Sequence, residues 1–150
     1  MARRLRPGTH AILRIAAGLL FMEHGAQKWF GWFGGMGGHG VSAPLMSQMG
    51  AAGVLEVVGG ALVVIGLFTR PVAVVLLLEM IVAYVQVHLP QGRWPIQNQG
   101  ELALLYASIF CFLAGNGAGP LSVDAMIPAQ LRRTGTERRN THDRRIPVHP

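Results

Sequence analysis

GVLEVVGGALVVIGLFTRPVAVVLLLEM, residues 53–80, decides the fold. Apart from the turn Thr69-Arg70-Pro71, its only ionisable side chains are Glu56 and Glu79. Apolar residues run continuously instead of alternating, which reads as helix and not as barrel strand. Extended to their natural limits, the flanks cover about 50–68 and 71–89, each close to the ~20 residues a helix needs to cross ~30 Å of hydrocarbon. Proline at the start of the second flank suits the first turn of a helix. Two antiparallel membrane spans are therefore expected, each with a carboxylate inside it.

Two further apolar segments lie outward from this pair, at about 9–30 and 100–118, the last closed by Gly115-Asn116-Gly117 and Pro120. The expected fold is all-α: a transmembrane four-helix bundle in residues 1–127, then a polar arginine-rich segment, 128–150, read as a disordered tail. Composition agrees. The chain of 150 residues is 51% hydrophobic and 13% charged, with a mean hydropathy of +0.37, against roughly 25% charge in a soluble domain. So few charges cannot clothe a soluble surface. Arg14 interrupts the first apolar segment and no small-x-small site follows it, so a cleaved signal peptide is not expected.

The net charge of +6 sits at the ends and at one turn. Arg3, Arg4, Arg6, Arg70 and the six arginines beyond residue 130 make up ten of the thirteen basic residues. This is the pattern of membrane-orienting charge and not of nucleic-acid binding. Four spans put both termini and the Arg70 turn on one side, which the positive-inside rule makes cytoplasmic. The expected location is the bacterial inner membrane, crossed several times. Trp29, Trp32 and Trp94, with Lys28, then fall at the outer face as interface anchors. The single cysteine, Cys111, excludes an internal disulfide, a CxxC pair and a cysteine-based zinc site, and no metal centre is expected.

Four of the seven acidic residues, Glu23, Glu56, Glu79 and Glu101, lie in or at the mouth of apolar segments. A mid-membrane charge costs about 2.5–3.5 kcal/mol on insertion scales, so these groups must be paired, protonated or facing a wet cavity. The topology brings Glu23, His24, Gln27, Glu56, His88, Asn98 and Glu101 to the outer half of the bundle, as a pocket for a ligand or for protons. Arg14 is the most reachable partner for Glu79, giving an expected intramembrane ion pair. Gly53, Glu56 and Gly60 share a strip of helix two where small residues allow close approach. The plainer alternative is that these side chains are interhelical hydrogen-bond glue, with His88 capping a helix end and Ser108 bonded to its own backbone. GGMGGHG, residues 34–40, contains a literal G-x-G-x-x-G but lacks the preceding strand of a dinucleotide site. It reads as a flexible outer loop.

RIAAGLLFMEHGAQKWFG in helix one, GVLEVVGGALVVIGLFTRP across helix two and its turn, and NQGELALLYAS opening helix four together resemble the DoxX family of small bacterial four-helix membrane proteins. The resemblance runs from about Leu13 to Asp124. His24 and Lys28 match an H-G-x-x-K run; Glu56, Arg70, Asn98 and Glu101 match the helix-two and helix-four patterns. It implies a subunit or accessory protein of a membrane redox system, as in relatives that belong to a thiosulfate:quinone oxidoreductase or act in oxidative-stress defence. It implies no catalytic residue set. The ligand expected from it is a quinone, held non-covalently, or a sulfur compound. Expected partners are the lipid bilayer, redox proteins and a further copy of the chain. A non-enzymatic small-molecule or lipid transporter, or a scaffold recruiting cytoplasmic partners through its arginines, is the alternative class.

Overall fold

A computed structural model describes residues 2–127 of the chain, with side chains from Pro7 onward. The basic side chains of residues 3–6 and the segment read as a tail, 128–150, lie outside the described residues. The described part is all-α, with one isolated bridge between Met36 and Val41. Helix α1 spans Ala2–Phe30, α2 Gln48–Ile65 and α3 Thr69–Ala83; short α4 (Pro95–Asn98) precedes α5 (Glu101–Asn116), and a last turn, α6, covers Val123–Met126. α3 continues through a π turn, Tyr84–His88, and a 3-10 turn, Leu89–Gln91.

Local chemistry fixes these limits. Ser47 caps α2 by accepting a hydrogen bond from Gly50 N at 3.0 Å. Gly66 closes it at φ +70°, a left-handed position that favours glycine. The start of α3 is capped from far along the chain: Asp124 accepts from Phe68 N and Thr69 N, both at 2.9 Å. Gly117, at φ +76°, ends α5. The expected spans were drawn at 9–30, 50–68, 71–89 and 100–118. α1, α2 and α3 start earlier than drawn, so the expected turn Thr69-Arg70-Pro71 is the first turn of α3 and the chain reverses at residues 66–68 instead; α2 and α5 stop earlier, because apolar residues continue past the turn glycines into the connecting turns.

α1 packs along α2, α3 packs along α5, and α2 meets α3. The buried core takes Phe21 from α1, Val63 from α2, Ala73, Leu76 and Met80 from α3, and Ala103, Tyr106, Ala107, Phe110 and Leu113 from α5. Phe21 reaches across to α5, its ring 5.0 Å from Tyr106 and 4.9 Å from Phe110. α1 and α2 approach through glycine: a Cβ on Gly25 would stand 2.7 Å from Gly53 O and from Val57 N. Such contact between backbones is a membrane packing device.

Among the described residues, two helices are long and apolar enough to cross a membrane, Gln48–Ile65 and Thr69–Gln91. Only 17% of the most apolar stretch of the second is buried inside the protein, so most of its apolar side chains face outward. α1 carries Arg14, Glu23 and Lys28 within its apolar stretch, and α5 ends after 16 residues. Outward apolar side chains nevertheless continue on both, including Ile12, Leu19, Leu20, Leu102, Leu105 and Phe112. A surface so apolar belongs against lipid or protein.

The glycine-rich segment differs from the expected flexible loop. Met36 N donates to Val41 O at 2.9 Å and Gly40 N to Gly34 O at 2.7 Å, while Ala43 N returns to Lys28 O at 2.7 Å. Glycines 34, 35, 37, 38 and 40 all have positive φ. Their freedom builds a tight reversal folded back on the end of α1.

Candidate functional site

An ion pair joins α1 to α2. Lys28 Nζ donates to Glu56 Oε1. Glu56 is 2% exposed, and its other oxygen, Oε2, accepts no hydrogen bond among the described residues. Lys28 thus departs from its expected place as an interface anchor. Its stem lies against Gly53, where an added Cβ would come within 3.1 Å of Lys28 Cβ. The glycine leaves room for the side chain to run inward to the carboxylate.

Glu79 approaches from α3, near enough to Glu56 and Lys28 for their charges to interact. Both its oxygens are buried and accept no hydrogen bond among the described residues. The expected pair of Arg14 with Glu79 does not form. Arg14, 2% exposed, turns its two terminal nitrogens to the opposite end of the helices, donating to Ala118 O at 2.7 Å, Leu121 O at 2.8 Å and Val64 O at 3.3 Å, with Asp124 supplying the nearby negative charge; its Nε finds no acceptor among the described residues. The guanidinium fork matches several carbonyls at once. Gly66 makes room for it: a Cβ there would meet Arg14 Nη1 at 2.3 Å.

The remaining expected pocket residues divide. His24 is half-buried, its ring edge-on to Tyr106 with centroids 5.9 Å apart, and lies within charge range of Lys28 and Glu23. Gln27 is half-buried, whereas Glu23 is exposed. Glu101 is also exposed, on the same outward face as Leu105 and Ser108, which moves it out of the interior expected for it. Ser108 Oγ donates to Leu104 O at 2.8 Å, the backbone bond of the plainer reading. His88 Nδ1 contacts Asn98 O at 3.0 Å. Asn98, 1% exposed, donates to Gly92 O at 2.8 Å and accepts from Gly100 N at 2.8 Å. Those two residues fold the connection between α3 and α5. They hold a turn and leave little donor capacity for a ligand. Trp32 and Trp94 are exposed by 59% and 66% at the same end of the helices, and Trp29 is half-buried against Phe30.

The interior polar set is therefore Lys28, Glu56 and Glu79, with Tyr106 and His24 beside it. Tyr106, 5% exposed and in charge range of Glu56 and Glu23, was missed by sequence reasoning. Its signal was available: it lies in the buried run Ala103, Tyr106, Ala107, Phe110, the helical repeat of a core face. Asp124 was also missed, since nothing local marks a carboxylate that caps a helix far back in the chain. Chemically, the set offers one ammonium–carboxylate pair and three carboxylate oxygens able to accept a proton or a hydroxyl donor. No group of three or more metal-ligating side chains occurs among the described residues. A cavity of about 910 Å³ lies at the opposite end, lined by Thr69, Arg70, Gly117 and Asp124 among others.

The DoxX family model matches residues 9–89. An "Uncharacterized protein" of Haemophilus influenzae (strain ATCC 51907 / DSM 11121 / KW20 / Rd) is 40% identical over 126 residues, covering 81% of this chain and 92% of that protein. A Bacillus subtilis (strain 168) protein named "Putative oxidoreductase CatD" is 32% identical over 118 residues, covering 77% of this chain and 84% of that one. No solved structure matches the chain.

Proposed function

The chain belongs to the DoxX family, and from that premise we propose that it is an integral component of a membrane redox system that binds a small molecule at Lys28, Glu56 and Glu79. α1, α2, α3 and α5 act as a four-span bundle in the bacterial inner membrane, with the α2–α3 turn just before Arg70 and both termini on the cytoplasmic side. The bound molecule is a quinone or a sulfur compound, and a partner protein supplies or removes the electrons. The oxidoreductase name of the Bacillus relative supports the redox part of this reading.

One observation carries it: carboxylate oxygens of Glu56 and Glu79 stand buried without a hydrogen-bond donor, next to a single lysine. Buried polar groups are ordinarily satisfied. Ionisable groups inside a span are costly to keep and are the usual means of proton handling there. Hydrogen-bond glue would use its acceptors; these are left open to a proton or to the hydroxyl of a ligand. His24 and Tyr106 flank the set and would orient the ligand by ring contact.

The test is purification in mild detergent, with mass spectrometry of bound small molecules and polypeptides from wild type, Glu56→Gln and Glu79→Gln. The expected result is a redox-active small molecule and an oxidoreductase polypeptide with wild type, and at least a tenfold drop in the small molecule for both variants at equal protein yield. Loss of yield in step with loss of ligand would assign the carboxylates to structure. Recovery of neither ligand nor redox partner with wild type would overturn the reading.

A further inference from the structure

The cavity of about 910 Å³ lies away from the carboxylate set, and its wall is mixed in character. Thr69, Arg70 and Asp124 contribute polar side chains, and Phe68 and Met126, both exposed, contribute apolar ones. The volume is that of a small-molecule site and exceeds what a bare ion needs.

One cation in this wall has no counterpart. Arg14 and Asp124 lie within charge range of each other. Asp124 also accepts from Phe68 N and Thr69 N, both at 2.9 Å. Arg70, by contrast, is exposed and makes no hydrogen bond or ion pair among the described residues. Its side chain is nevertheless seated. A Cβ on Gly117, which has φ +76°, would stand 3.2 Å from Arg70 Nε and 3.7 Å from its Cγ. The glycine therefore lets the arginine lie against the end of α5. Thr69, the preceding residue, is fully buried, and its hydroxyl has no hydrogen-bond partner among the described residues. Buried polar groups are ordinarily satisfied.

A seated cation without a counter-ion, next to apolar side chains in one cavity, is complementary to an anion that carries an apolar part. The planar guanidinium fork matches the oxygens of a phosphate two at a time. Asp124 limits the charge that is welcome: a phosphodiester brings a single negative charge to Arg70, whereas the second charge of a monoester would face the carboxylate. Arginines at the end of a span attract anionic lipid.

We propose that this cavity binds a phosphodiester anion at Arg70, and that its source is the headgroup of an anionic phospholipid in the adjoining leaflet. A soluble phosphodiester shares the chemistry but leaves Phe68 and Met126 without a partner. The site is separate from Lys28, Glu56 and Glu79, and the proposal does not depend on what binds there.

The test is native mass spectrometry of the purified full chain in mild detergent. Three probes are titrated: dioctanoyl phosphatidylglycerol, dioctanoyl phosphatidylcholine, and glycerophosphoglycerol, the first headgroup without its chains. Ala125→Trp fills the cavity from an exposed position of its wall. Wild type is expected to bind phosphatidylglycerol about tenfold more tightly than phosphatidylcholine, and Arg70→Gln and Ala125→Trp each to lose about tenfold. Arg70→Lys, which keeps the charge without the fork, should fall between. Arg93→Gln, an exposed arginine outside the cavity, should be unchanged. Unchanged binding in Arg70→Gln would overturn the proposal in favour of the arginines beyond residue 130, and equal loss in Arg93→Gln would reduce it to general charge. Weakening in Arg70→Gln with none in Ala125→Trp would overturn the cavity and leave a surface contact. Equal affinity for phosphatidylcholine would overturn the anion. Glycerophosphoglycerol binding as tightly as the lipid would uphold the phosphodiester site and overturn its lipid source. Should Arg70→Gln fail to fold, Arg70→Lys and Ala125→Trp decide between these outcomes.

Discussion

Lys28 illustrates how a residue's role is set by what lies opposite it. From sequence, a lysine near a helix end beside tryptophan reads as a snorkelling anchor, and the helical spacing that links it to His24 leaves its direction open. Only the glycine on the facing helix turns it inward to Glu56. Removing one member of a buried pair leaves an uncompensated charge and typically costs about 3–5 kcal/mol, whereas removing both is far milder. Lys28→Met is expected to lower stability by about 3 kcal/mol, and the double variant Lys28→Met, Glu56→Leu to recover most of it. Denaturant titration of the purified protein checks both, and equal loss in single and double variants would contradict the pairing. The converse holds for Arg14 and Glu79. Depth in the membrane made them look like partners, but depth in sequence does not report azimuth, and the carbonyls of Ala118 and Leu121 lay too far along the chain to be foreseen.

Helices were the most legible level. Continuous apolar runs, a three-residue turn and flanking glycines are local signals, and they gave α1, α2, α3 and α5 with errors confined to their ends. The π turn at Tyr84–His88, α4 and α6 were not legible, because elements of four or five residues are too short for a hydrophobic period to mark them. Two outcomes test the packing of elements. Gly25→Ala forces backbone against backbone and is expected to cost about 1–3 kcal/mol as overpacking. Gly8→Ala, with nothing within 4 Å of its added Cβ, should be neutral or slightly stabilising. Thermal unfolding in one detergent compares them. Asp124→Ala uncaps α3 at Phe68 and Thr69, at an expected cost of about 1 kcal/mol. Hydrogen exchange at those two amides should rise first.

For the molecule as a whole, charge asymmetry and span count carried most of the argument, and they speak to orientation more than to contents. Which polar groups face the interior was not legible: Glu101 and Glu23 turn outward, while Tyr106 turns in. Orientation is open to a direct check, because Cys111 is the single native cysteine. In a Cys111→Ala background, Met46→Cys should react with a membrane-impermeant maleimide in intact spheroplasts, and Arg70→Cys only after permeabilisation. The reverse pattern would invert the molecule in the membrane.

The cage around Arg14 sets a condition on how the protein is made. Chains leave the ribosome amino end first, so α1 is made long before Ala118 and Leu121 exist to receive the guanidinium. Until then its cation has none of its final carbonyls from that segment. A chain halted before residue 118 would therefore carry the first helix with its charge unmet, and the turn after α5 is what settles it.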